Sequence, residues 1–196
     1  MPKPPLFYLT EDSRSAFWIL LGVYFVSETL IARFLRAGRA DRTDDRGSLL
    51  LFVTILPLGW FVAFMLAGIP WAFFGNAALY RAGLVVIGAG QLLRWWSIAT
   101  LGRFFTVNVA IRAEHRLIDS GPYQYVRHPA YTAVLLVHLG TSLCLGNALS
   151  LLALTVPLLA TLVNRMRVEE DVLIAGLGQP YRDYMGRTKR LIPRIY

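Results

Sequence analysis

The chain has 196 residues, 56% of them hydrophobic and only 16% charged, with a formal net charge of +8 and a mean hydropathy of +0.50. Soluble domains carry about 25% charged residues, so the composition sets aside an ordinary soluble globule and points to a membrane protein. The basic residues cluster at the ends of apolar runs, the pattern of lipid headgroups and topology control rather than of nucleic-acid binding. The single cysteine, Cys144, leaves no disulfide framework and no cysteine metal site within one chain.

A membrane span needs about 20 apolar residues. Residues 1–14 carry prolines and mixed charge and do not read as a secretory signal. Residues 16–35, 49–69 and 77–99 predict the first three spans. Between the second and third, residues 70–76 are uncharged and hold Trp71, Phe73 and Phe74, which predicts an interfacial loop. The last apolar block, 131–163, is too long for one span. Gly146-Asn147 divides it into a tight hairpin of helices four and five, with Pro157 kinking the fifth. The expectation is an all-α, polytopic membrane protein of about five spans. Residues 1–99 would hold the first three helices, and residues 100–196 the hairpin and a C-terminal cytoplasmic lid.

Charge sets the orientation. Arg33, Arg36, Arg39, Arg42 and Arg46 follow the first span, and Arg94, Arg103, Arg112, Arg116 and Arg127 are counted after the third. Arg165, Arg167, Arg182, Arg187, Lys189, Arg190 and Arg194 follow the fifth. With five spans these segments share one side, which the positive-inside rule makes cytoplasmic, with the N-terminus outside.

Two polar clusters stand out against the apolar background. In Arg127-His128-Pro129-Ala130-Tyr131, a proline suited to a first helical position predicts that helix four starts near Pro129. The free N–H groups there would suit a carboxylate or phosphate, with His128 and Tyr131 at the entrance; an interfacial anchor is the plainer reading. In Arg165-Met166-Arg167-Val168-Glu169-Glu170, Arg165 and Glu169 share one helical face, while Glu169 and Glu170 are about 100° apart. A tight hairpin returns the chain to its starting face, so both clusters would meet. Residues 177–193 read as an amphipathic tail folded under the pocket, or as a surface anchor. Gly88-Ala89-Gly90 sits in an apolar helix and reads as close packing rather than a dinucleotide loop. Within predicted spans, His138 is expected to make an interhelical hydrogen bond, and Glu28 to reach Arg33 or water.

The order His115-Arg116-Leu117-Ile118, Gly121-Pro122-Tyr123, Arg127-His128-Pro129-Ala130-Tyr131, apolar hairpin, Arg165 with Glu169-Glu170, Leu177-Gly178-Gln179-Pro180-Tyr181 and Arg190-Leu191-Ile192-Pro193 resembles the isoprenylcysteine carboxyl methyltransferase family. The resemblance covers residues 100–193; residues 1–99 match only as hydrophobic spans. It implies S-adenosylmethionine as methyl donor. His115, Arg116, Leu117, Ile118, Tyr123, His128, Pro129, Ala130, Tyr131 and Glu169 or Glu170 would be its contacts, with Arg165 and Glu169 the catalytic pair. The family's glutamine upstream of His115 has no clear match, Asn108 being the candidate. The acceptor would be a prenylated cysteine carboxylate or a similar lipophilic molecule entering from the bilayer. Alternatives are a phospholipid amine or thiol as acceptor, an NADPH-dependent sterol or steroid reductase, whose C-terminal pattern is similar, and a non-enzymatic lipid-binding protein.

Overall fold

The computed structural model describes residues 11–35, 42–43, 47–107, 110–111 and 116–196. In chain order the elements are α1 (Glu11–Phe34), β1 (Arg42–Thr43), α2 (Ser48–Leu66), α3 (Ala77–Leu101), β2 (Ala110–Ile111), α4 (Pro129–Leu145), α5 (Ala148–Leu177) and α6 (Gln179–Arg187). The two strands pair antiparallel, Arg42 opposite Ile111; the other elements among the described residues are helices.

Among the described residues, four helices are long and apolar enough to cross a bilayer: Arg14–Phe34, Ser48–Leu66, Ala77–Phe104 and Ala148–Leu177. The chain is thus a multi-pass membrane protein. Helix α4 has 17 residues and reaches about 26 Å at 1.5 Å per residue, just short of a hydrocarbon core of about 30 Å. The five expected spans therefore resolve into four of full length and one short helix.

Small residues let the helices approach closely, as is usual inside a membrane. A Cβ on Gly83 would stand 2.6 Å from the Gly140 carbonyl oxygen, and one on Gly140 would stand 2.7 Å from that of Gly83. A Cβ on Gly90 would meet the Ala133 carbonyl at 2.9 Å. The α3–α4 seam is therefore backbone against backbone. The close packing expected of 88–90 comes from Gly90 alone; Gly88 faces open space. Across the α2–α5 seam the Ser150 hydroxyl donates to the Ala63 carbonyl at 2.6 Å.

The turn between α4 and α5 is well determined by its residues. Gly146 ends α4 in the left-handed region at φ 59°, and the Asn147 side chain caps α5 by accepting from Leu149 and Ser150 N–H. The 70–76 loop is stitched to the turn. Phe74 and Gly75 N–H donate to the Gly146 carbonyl, and Asn147 Nδ2 donates to the Ile69 carbonyl at 3.0 Å. Trp71 on this loop is 78% exposed, as an interfacial aromatic would be.

Several buried polar groups are paired across helices. Trp60 Nε1 on α2 donates to His138 Nε2 on α4 at 2.8 Å, the interhelical bond expected of His138. Arg94 departs from the sequence reading. It is a buried residue of α3, not a loop charge, and Nε and Nη2 grip Glu28 of α1 at 2.8 and 3.0 Å. Glu28 thus pairs neither with Arg33 nor with water alone. A charge in an apolar helix is costly unless paired, which is the physical reason for the difference.

Gly140→Ala should lower stability by about 1–3 kcal/mol, because its methyl meets backbone that cannot yield. Gly88→Ala, whose methyl meets nothing, should be neutral or stabilising by up to about 1 kcal/mol through helix propensity. Thermal unfolding of the detergent-solubilised chain measures both, and the opposite signs check the seam.

Candidate active site

The start of α4 lies against the charged stretch 165–170 of α5. Tyr131 is in the first turn of α4, where Pro129 supplies a preset first residue. Its hydroxyl accepts from Arg165 Nε at 2.9 Å and donates to Glu169 Oε2 at 2.8 Å. Arg165 and Glu169, expected on one helical face, meet through this phenol. Arg165 is 4% exposed. Its Nη1 donates to Ser48 Oγ at 3.1 Å and its Nη2 to the Val107 carbonyl, so α2 and the 105–107 segment also hold the guanidinium.

His128 stands between the two glutamates. Its ring stacks on Tyr131 with centroids 5.5 Å apart. Nδ1 is 3.7 Å from Glu169, and Nε2 is 3.2 Å from Glu170. Glu170 is 2% exposed. It accepts from Arg127 Nε at 2.9 Å and from Arg190 Nε at 3.0 Å. The hydrogen bond to Glu170 holds Arg190 above its usual value, firmly protonated. The two adjacent carboxylates have separate surroundings: Glu169 faces the cavity described below, while Glu170 is sealed behind it.

The anion site expected at the α4 N-terminus is altered by the tail. Arg127 N–H donates to the Lys189 carbonyl and His128 N–H to the Arg190 carbonyl, at 2.7 and 3.0 Å. Tyr131 N–H turns back to the His128 carbonyl, and Pro129 has no N–H to give. The Thr132 hydroxyl adds a bond to the Leu191 carbonyl at 2.8 Å. The C-terminal segment is thus a strap on the helix start, and its carbonyls take donors that sequence reasoning had left for a ligand. Ahead of the strap, α6 buries Tyr181 and Tyr184. The Tyr184 hydroxyl donates to the Tyr123 carbonyl at 2.6 Å, and burial pushes the phenol up to about 12, so it remains a donor.

A cavity of about 420 Å³ joins these groups to the membrane interior. Arg116, Leu117, Ile118, Tyr123, Ala130 and Tyr131 line it, together with His128, Arg165 and Glu169. Pro129 and Glu170 stand outside its wall, and His115 and Asn108 fall outside the described residues. The cavity then continues between α1, α2 and α4 to Tyr24, Trp60 and His138. Sequence reasoning missed Arg94 and Glu28 in the wall, and the part of Arg190 in holding Glu170. The signal for the first was an arginine deep in an apolar run, which calls for a buried partner.

The two glutamates should separate in experiment. Glu170→Ala leaves the Arg127 charge buried without its partner and should cost about 3–5 kcal/mol. Glu169→Ala removes one phenol contact at a partly exposed carboxylate and should cost about 1 kcal/mol. Thermal unfolding of both variants decides it.

Residues 82–175 match the family model for the isoprenylcysteine carboxyl methyltransferase (ICMT) family. Protein-S-isoprenylcysteine O-methyltransferase B of Arabidopsis thaliana is 36% identical over 115 residues, 58% of this chain and 58% of that protein. The Dictyostelium discoideum protein-S-isoprenylcysteine O-methyltransferase is 29% identical over 161 residues, 80% of this chain and 68% of its own length. This chain spans 58–60% of the Arabidopsis and rice relatives it matches. The solved structure of a eukaryotic intramembrane Ras methyltransferase, ICMT, superposes over 100% of this chain and 70% of its own with a TM-score of 0.66 at 23% identity, so the fold is shared. The match to the isoprenylcysteine carboxyl methyltransferase family model thus runs through α3, α4 and α5.

Proposed function

We propose that this chain is an integral membrane methyltransferase that uses S-adenosylmethionine to methylate the carboxylate of a prenylated cysteine or a similar lipophilic acceptor. The observation that carries this reading is the shape of this cavity. One end is polar, with Arg165, Tyr131, Glu169 and His128; the other is apolar and lies among the spans. That shape suits a molecule with an ionised head and a long apolar tail. The names of the plant and Dictyostelium relatives support the same substrate class.

A carboxylate acceptor is ionised at neutral pH and needs no general base. It needs orientation, and Arg165 offers a planar cation already braced by Tyr131, Ser48 and Val107. The cavity wall also fits the donor. Glu169 accepts from Tyr131 and has lone pairs to spare for an ammonium or ribose hydroxyls. Leu117 and Ile118 offer apolar surface to a purine, and Arg116 beside them offers a cation to a carboxylate. Bound there, S-adenosylmethionine supplies an activated methyl group. The residues of the chain hold the two partners close and keep water out.

The polar end faces the cytoplasm on this reading. The hairpin of α4 and α5 returns the chain to one face, where Arg103, Arg116, Arg187 and Lys189 gather. Cysteines placed at Trp71, on the opposite loop, and at Arg182, on α6, test it. Impermeant maleimide should label position 71 in intact cells and position 182 only after permeabilisation. The reverse pattern overturns the orientation.

The activity is tested by titrating the solubilised chain with S-adenosylmethionine, S-adenosylhomocysteine and NADPH. S-adenosylhomocysteine should raise the unfolding temperature by mass action, and NADPH should not. NADPH stabilisation alone would replace this reading with the reductase one. Arg165→Lys should lose methyl transfer to carboxylate acceptors, since an ammonium cannot reproduce a planar grip, while retaining the S-adenosylhomocysteine shift. Full activity in this variant would mean that the acceptor is not a carboxylate.

A further inference from the structure

The cavity has a definite floor. Along α2 its lining runs Leu49, Phe52, Val53, Leu56, Pro57 and ends at Trp60. Ser48, which holds Arg165, begins this helix, so Trp60 lies about 18 Å further along and Leu56 about 12 Å, at 1.5 Å per residue. The lining on α4 runs from Ala130 to His138, and on α1 from Ala32 back to Tyr24. The deepest residue of each helix is therefore an aromatic or imidazole ring, and the three rings touch. Ring centroids are 5.1 Å apart for Trp60 and His138, 6.3 Å for Tyr24 and Trp60, and 6.4 Å for Tyr24 and His138.

Hydrogen bonds fix this floor. His138 Nδ1 lies 2.8 Å from the Val134 carbonyl, which can only accept, so Nδ1 carries the proton. Nε2 is then the acceptor for Trp60 Nε1 at 2.8 Å. An indole held by its N–H cannot swing aside to admit more chain. Phe25 packs edge-on to it with centroids 4.9 Å apart. Buried polar groups cost free energy that an all-apolar plug would avoid; a fixed indole orientation is what they provide in return.

We infer that Tyr24, Trp60 and His138 set the longest apolar tail the cavity accepts, and that Trp60 is a specificity-determining residue for chain length. The inference rests on the proposed reading that an acceptor's tail occupies this cavity. Leu56 lines the same cavity one helical turn nearer the polar end, so the floor can be moved in either direction from one helix.

The test uses N-acetylcysteine thioethers with two, three or four isoprene units, as carboxylates for methyl transfer and as carboxamides for binding by thermal shift. Trp60→Leu should move the ratio of kcat/KM for the longest to the shortest chain upward by roughly tenfold, and Leu56→Trp should move it downward by a similar factor. Loss of stability alone cannot produce opposite shifts. Trp60→Phe, which keeps a ring but drops the indole N–H, replaces Trp60→Leu if that variant fails to fold and should shift the ratio in the same direction. Unchanged ratios, or shifts in one direction for both positions, overturn the inference. Methyl transfer that ignores chain length leaves the activity standing and removes the floor. Carboxamides that bind with the expected length ranking, without methyl transfer of any carboxylate, keep the floor and remove the activity. If no chain binds and none is methylated, both fall.

Discussion

Glu170 is the point on which the polar half of the molecule turns. Moving a carboxylate out of water costs several kcal/mol, and only well-placed charged partners offset it. Glu170 is 2% exposed, and its partners come from separate places: Arg127 ahead of α4, His128 at its cap, and Arg190 in the tail. None of these segments can leave without exposing or orphaning the others. The strap from Lys189 to Leu191 uses the same register, since the residue that grips Glu170 also offers its carbonyl to His128 N–H. Tyr131 lies in the turn this cluster pins, and Glu169 is its neighbour on α5. The contact between Tyr131 and Glu169 therefore depends on a charge cluster whose centre, Glu170, is not itself in the cavity wall.

A second set of polar pairs does the same work within the spans. The Arg94–Glu28 pair ties α3 to α1, and Arg94 Nη1 reaches the Ala130 carbonyl at 3.3 Å. The Trp60–His138 bond ties α2 to α4. Apolar helix faces in lipid have little reason to prefer one rotation over another, because lipid tails are as apolar as leucine. Paired polar groups supply that reason. Together with the glycine seam of α3 and α4, they fix the rotation of the helices that wall the cavity.

How much of this the sequence disclosed follows from how far each signal reaches. The two-residue break at Gly146-Asn147 was enough to bring 127–131 and 165–170 together, because a tight turn leaves the chain no other path. Helical spacing said that Glu169 and Glu170 diverge, yet it could not say which faces the cavity; that depends on the rotation of α5, which distant contacts decide. Arg94 was misplaced because charges near a run's end were counted as loop. Its partner lies 66 positions away, beyond any local pattern. The donors at the start of α4 looked free for the same reason: the carbonyls that take them belong to the tail.

The hydrogen-bond chain at the polar end has a fixed direction. A phenol has one proton; Tyr131 gives it to Glu169 and must therefore receive from Arg165. Charge on the guanidinium and charge on the carboxylate polarise the same hydroxyl from its two sides, and each strengthens the other's bond. On the proposed assignment, Arg165 belongs to the acceptor and Glu169 to the donor, so one side chain joins the two halves of the site. Removing its hydroxyl would unbrace both, whereas removing either charge would leave the other still bonded to Tyr131. On that assignment Tyr131 braces both halves of the site at once.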